Sequence, residues 1–142
     1  MKTNLTKHTT ILWADDDPDE LAMMREVLDD INSSYHIAEA SDGVQVLQYL
    51  EAAKAQKLFP CLIVLDLNMP VLNGKETLQR LKQDPTLKAI PTVVFTTSSS
   101  SRDQQFCDAY GTEMVTKPIT YDALKQIVQK LLHMCAVSVK EQ

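Results

Sequence analysis

The sequence predicts an α/β fold, a doubly wound five-stranded parallel sheet made from five strand–helix units. The first sign is the order of patterns. Five short β-type runs alternate strictly with five helical patterns along the 142 residues. Such alternation implies a parallel sheet with right-handed crossovers and helices on both faces. The second sign is the character of three of the runs. ILWA at 11–14, LIVL at 62–65 and TVVF at 92–95 are almost unbroken apolar stretches. Strands covered on both faces read that way, whereas half-exposed strands alternate.

The elements follow in order. The predicted strands occupy 9–14, 35–40, 62–66, 92–96 and 113–116. The first helix opens at Asp17-Pro18-Asp19-Glu20, an N-cap, a proline at the first helical position and a capping-box glutamate. Leu21, Met24, Leu28 and Ile31 then form one apolar stripe. The second helix runs roughly over 43–57, with Val44, Leu47 and Leu50 inward. Asn73-Gly74-Lys75-Glu76 is a second capping box and opens the third helix, which must stop near Asp84-Pro85. Ser101 with Gln104 opens the fourth. Thr120 caps the fifth, whose Leu124, Ile127, Val128, Leu131 and Leu132 repeat at helical spacing.

Composition narrows the function classes. A net charge of −5 with no Lys/Arg-rich stretch argues against a nucleic-acid binder. The longest apolar run, 61–65, is far short of the ~20 residues that span a bilayer. The polar start MKTNLTKHTT is no signal peptide, and Met1 reads as a natural beginning. The expectation is a soluble cytoplasmic chain forming one domain over 1–142, its core at about 9–134 and tails at 1–8 and 135–142. Cys61, Cys107 and Cys135 are odd in number and lack CxxC spacing, which predicts reduced thiols. His8, His36 and His133 have no partner at useful spacing.

The strand ends carry the chemistry. The first strand ends in Asp15-Asp16-Asp17 and the third in Asp66, followed by Leu67-Asn68-Met69-Pro70. The fourth ends in Thr96-Thr97 and the fifth in Lys117-Pro118. Open α/β sheets place their sites beyond these carboxyl ends. If the first and third strands are neighbours, about 4.8 Å apart, three carboxylates converge. Carboxylates that close repel unless a cation intervenes, and a small all-oxygen site favours Mg²⁺. A hard cation beside a carboxylate, with a lysine and a hydroxyl nearby, is suited to phosphoryl transfer onto that carboxylate.

These residues carry a family resemblance. Asp15-Asp16, IVLDLNMP at 63–70 with Gly74 eight residues after Asp66, VVFTT at 93–97 and VTKP at 115–118 resemble the receiver domains of two-component response regulators. The stretch LKQDPTLKAIPTVVFTTSSS at 81–100 is most similar to the small phytochrome-associated kind, and the overall likeness extends to the chemotaxis kind. The resemblance covers about 9–134. It implies a flavodoxin-like (βα)5 receiver fold of strand order 2-1-3-4-5. It implies Asp66 as phosphoacceptor and Mg²⁺ held by Asp16, Asp66 and the Asn68 backbone carbonyl, with Asp15 acting through water. Thr96 and Lys117 contact the phosphoryl group, and Lys117-Pro118 is a cis peptide. Ser98 and Asn68 tune hydrolysis, and Thr97 lies with the switch. The implied donor is a sensor histidine kinase or phosphotransfer protein, and the output an unknown downstream protein. A homodimer is left open, and no nucleic acid or membrane is expected.

Two positions depart from the family pattern. Three residues before Lys117 the family has an aromatic ring that moves with the Thr; here Met114 stands there. Gly111 lies six residues before Lys117, so the preceding loop is one residue short. These departures keep open a constitutive, phosphate-independent interaction module. A haloacid-dehalogenase-type phosphatase also uses an Asp nucleophile and Mg²⁺. It needs a carboxylate two residues later as proton donor, where this chain has Asn68.

Overall fold

Strand alternation divides the hydrophobic core into two halves, one on each face of a five-stranded sheet. The structure, a computed structural model, describes residues 10–31 and 34–140, with side chains to 136. The expected strand start at Thr9 and the tail at 1–8 lie outside them. The strands are β1 (Thr10–Ala14), β2 (His36–Ala40), β3 (Leu62–Leu65), β4 (Thr92–Thr96) and β5 (Glu113–Thr116). The helices are α1 (Pro18–Asp30), α2 (Gly43–Gln56), α3 (Gly74–Gln83), α4 (Ser101–Ala109) and α5 (Tyr121–Lys140). All pairings are parallel, in the order β2-β1-β3-β4-β5. The order reverses between β1 and β3, the point at which such sheets open a crevice.

Successive residues of a strand point to opposite faces, and the core follows that rule. Ile11, Trp13, Leu62, Val64, Val93 and Phe95 face α1 and α5, where Met24, Val27, Val128 and Leu131 meet them. Leu12, Ala14, Ile63, Leu65 and Val94 face the other way, onto Val46 and Leu50 of α2, Leu78 and Leu81 of α3, and Cys107 of α4. The three apolar runs are therefore buried on both sides, as their composition predicts.

Local chemistry fixes most helix ends as expected. Asp17 caps α1 by accepting from the Asp19 N–H, and Thr120 accepts from the Ala123 N–H at the start of α5. Asn73 and Glu76 close a full capping box at α3. Three expectations shift. Ser100, not Ser101, caps α4, because its hydroxyl accepts from both Arg102 and Asp103 N–H groups. Val44 is exposed, and Val46, Leu50 and Ala53 form the buried face of α2. α5 continues to Lys140, past the expected core limit at 134.

The cysteines are a correction. Cys61, just before β3, and Cys135, late in α5, are joined by a disulfide, with Cα atoms 5.1 Å apart and 74 residues between them in sequence. Only Cys107 is a free thiol among the described residues. The long separation hides the pair from a spacing argument. The fold brings the two together because the start of the central strand and the last helix share one half of the core.

Candidate functional site

The site forms where β1 and β3 run out side by side. The Asp66 N–H donates to the Ala14 carbonyl at 3.1 Å, and the Asp15 N–H donates to Ala40 at 3.0 Å. Ladder hydrogen bonds therefore continue one step past each strand and hold the two aspartates at the sheet's edge. Asp15 and Asp66 are buried and Asp16 is exposed. Oxygens of Asp15, Asp16 and Asp66 lie within 4.8 Å of one another. That is the converging carboxylate cluster expected at the strand tips.

Lys117 comes from the far side of the sheet. Its backbone N–H donates to the Thr96 carbonyl at 2.7 Å, extending the β4–β5 ladder. Its Nζ lies 2.9 Å from Asp15 Oδ2 and 3.0 Å from Asp66 Oδ2. A third carboxylate, Glu20 of α1, lies 2.7 Å from the same nitrogen. Burial alone would lower the ammonium's pKa. Hydrogen bonds to Glu20, Asp15 and Asp66 outweigh that and push it well above the usual lysine range. Glu20 is raised, first by its own burial and then by Asp15, against the opposing pull of Lys117.

Sequence reasoning reads Glu20 as a capping-box residue, and the structure corrects this. The residue type and spacing fit a cap, but the side chain turns to Lys117. The signal available in the sequence was a carboxylate four residues after Asp16, on the first turn of α1. The Lys117–Pro118 bond is a second correction. No cis peptide occurs among the described residues, and trans is the lower-energy isomer even before proline. Lys117 reaches both aspartates in that form.

The hydroxyl side is equally ordered. Thr96 is fully buried, and its Oγ1 accepts from the Ser98 N–H at 3.2 Å. The Ser98 hydroxyl donates to Asp103 of α4 at 2.5 Å, and Asp103 pairs with Lys75 of α3 at 2.7 Å. That lysine, then the serine, holds the Asp103 carboxyl below its usual range. Thr97 is exposed. Met114 pairs with Val94 in the β4–β5 register and packs, half-buried, on the α2–α3–α4 side of the core. The Asn68 side chain is exposed, while its N–H approaches Asp66 Oδ1 at 3.3 Å.

The loop after Asp66 is drawn tight against it. The Gly74 N–H donates to Leu67 at 2.9 Å, and a Cβ on Gly74 would sit 2.1 Å from the Asp66 carbonyl oxygen. Only glycine permits that approach. The Leu72 N–H donates to Pro70 at 2.7 Å, with Val71 between them at φ 67°. This is a three-residue turn centred on a left-handed β-branched residue.

The carboxylates offer a hard, all-oxygen, anionic donor set, which fits a small divalent cation. Among the described residues no helix is long and apolar enough to cross a membrane.

Comparison with known proteins places this geometry among relatives. A family model described as the response regulator receiver domain matches residues 11–129. Response regulator Rcp1 of Synechocystis is 35% identical over 95 residues, 66% of this chain and 65% of Rcp1. The crystal structure of its Mn²⁺-bound form overlays with a TM-score of 0.76 at 30% identity, covering 87% of this chain and 91% of that one. The phosphorylated cyanobacterial phytochrome response regulator RcpA overlays with a TM-score of 0.78 at 31% identity, with the same two coverages of 87% and 91%. The share of their own length that this chain spans varies among the curated relatives it matches, for example 79% of one and 25% of another.

Proposed function

The chain belongs to the response-regulator receiver family, phosphorylation-dependent signalling switches of two-component systems, and from that premise we propose that Asp66 is its phosphoryl acceptor. Receiver domains bind a divalent metal at an aspartate cluster and work with histidine kinases and downstream proteins. The observation that supports this assignment most directly is the Lys117 ammonium bridging Asp15 and Asp66 at the sheet's edge.

The proposed step is simple in its electron accounting. An Asp66 carboxylate oxygen attacks the phosphorus of a phosphohistidine on a sensor kinase or phosphotransfer protein. The new O–P bond forms as the P–N bond breaks, and the pair leaves on the imidazole nitrogen, which takes up a proton. Phosphoryl transfer needs little beyond positioning and charge compensation. Lys117 supplies one compensating charge, and Thr96 supplies a hydroxyl on the same side. Asp15, Asp16, Asp66 and the Asn68 carbonyl would hold Mg²⁺, which when bound neutralises charge on the transferred oxygens. Asn68, whose N–H approaches Asp66, and Ser98, whose N–H donates to Thr96, are the positions we assign to tuning the attack of water. Autodephosphorylation is a separate step: water attacks the phosphorus, the O–P bond to Asp66 breaks, the carboxylate is restored and inorganic phosphate leaves, with no turnover of an external substrate.

A constitutive interaction module is the second reading, favoured by Met114, which brings no ring to swing inward, and by the short loop between Gly111 and Lys117. The test is incubation with acetyl phosphate and Mg²⁺, followed by mass mapping of the adduct. Label on Asp66, lost in Asp66→Asn, supports the switch. Label retained in Asp66→Asn excludes Asp66, and no label on the wild type favours the constitutive module.

A further inference from the structure

We infer that Glu20 is a positioning residue that competes with the phosphoryl group for Lys117. This rests on the reading of Asp66 as acceptor. An ammonium has three N–H donors; Lys117 donates to Asp15 at 2.9 Å and Asp66 at 3.0 Å, and the Glu20 carboxylate is ion-paired with the same nitrogen at 2.7 Å. The lysine side chain is 9% exposed, so little water is on hand to replace a lost partner. A phosphoryl oxygen arriving on Asp66 therefore has to take an N–H already in use.

The three carboxylates are not equally free to yield. Asp15 is buried, and its other oxygen accepts the Asp17 N–H at 2.9 Å. Asp66 is the group being modified and stays in place. Glu20 stands outside the aspartate cluster, on the first turn of α1, with its side chain 35% exposed. It alone can rotate into solvent. On the side away from the aspartates, Glu20 and Lys117 border a cavity of about 340 Å³ walled by Met24, Phe95, Tyr121 and Leu124. Those apolar walls lower the local dielectric and strengthen the Glu20–Lys117 attraction. The contact thus favours the unmodified state, and its release accompanies phosphorylation.

The test measures beryllofluoride affinity, a mimic of the acyl phosphate, by calorimetry at saturating Mg²⁺. Three full-length proteins are compared: wild type, Glu20→Gln and Asp19→Asn. Glutamine keeps the side chain's length and removes its charge, so Glu20→Gln should bind about fivefold more tightly. Asp19→Asn removes the same charge from the same helical turn without touching Lys117, and should stay within about twofold of wild type. A role for Glu20 limited to the helix terminus would move the urea midpoint and leave beryllofluoride affinity unchanged. Unchanged or weaker binding by Glu20→Gln overturns the inference, as does an equal gain in Asp19→Asn. If wild type binds no beryllofluoride, the phosphoacceptor reading itself fails; if wild type binds and Glu20→Gln does not differ, only the competition fails.

Discussion

The Lys117 ammonium lies 3.0 Å from Oδ2 of Asp66, at the meeting point of two strands that are not neighbours in the sheet. Among the described residues it is the one cation paired with this group of carboxylates, which would otherwise repel. Breaking a buried pair leaves its partners uncompensated, at about 3–5 kcal/mol. Lys117→Met should therefore lower urea stability by about 3 kcal/mol when metal is chelated. Saturating Mg²⁺ should stabilise this variant more than wild type, because the cation replaces the missing charge. The sign with pH also follows. A raised folded pKa means the lysine's contribution is complete below the unfolded value of about 10.4 and lost as pH rises through the folded one. The gap between the two metal-free proteins should thus stay constant through neutral pH and narrow only in strong alkali. Equal stabilisation of both proteins by Mg²⁺ would show that ammonium and metal do not share a task.

Gly74 makes a separate demand on the same aspartate. A Cβ there would meet the Asp66 carbonyl oxygen at 2.1 Å and the Leu67 Cα at 2.5 Å, both backbone atoms that cannot step aside. Gly74→Ala should cost about 3 kcal/mol in urea unfolding, at the upper end of overpacking penalties. Gly43→Ala is the comparison. Its Cβ would meet Thr77 Oγ1 at 2.0 Å and Leu72 at 2.6 Å, at the α2–α3 contact and away from the acceptor. Both variants should be destabilised. Only Gly74→Ala should also slow labelling by acetyl phosphate under conditions where the protein remains folded.

The difference between what the sequence discloses and what it conceals has a physical basis. Asp15, Asp66, Thr96 and Lys117 are legible because each stands at or just past the end of a strand, and strand ends in this architecture share one edge. Glu20 is concealed because one residue type satisfies two roles. A glutamate three residues after an N-cap is the expected capping-box partner, and only the folded chain shows it facing Lys117. The Cys61–Cys135 pair is hidden for a related reason, since 74 intervening residues carry no spacing signal. Val44 misleads because the apolar stripe of α2 begins two residues later, at Val46.

Val71 should be replaceable with profit. It is 80% exposed, so its side chain adds little burial, and it sits at φ 67° inside a three-residue turn. A β-branched residue in that region costs on the order of 1–3 kcal/mol. Glycine adopts the conformation freely and gives back about 1 kcal/mol or less through its looser unfolded state. Val71→Gly should therefore raise stability by about 1 kcal/mol, read as a higher urea midpoint at unchanged slope. Val71→Ala, which keeps a Cβ, should recover less. A lower midpoint in Val71→Gly would mean that the turn is held by contacts of the valine side chain itself.

Tyr121 offers a pH test away from the acceptor. Its hydroxyl donates to the Asp30 carboxylate, tying the start of α5 to the end of α1. That bond, with some burial and the nearby negative charge, pushes the phenol up to about 12. Native protein binds this proton more tightly than the unfolded chain does. The bond therefore supports folding below the unfolded value of about 10 and ceases to as pH rises through the folded value. Phenolate absorbance should show Tyr121 among the tyrosines that ionise late in wild type. Asp30→Asn should lower that transition toward the free value of about 10, and Tyr121→Phe should delete it. Tyr49 is also raised, by burial alone, so its late transition should persist in both variants. A titration curve identical in wild type and Asp30→Asn would show that Asp30 does not hold the phenol.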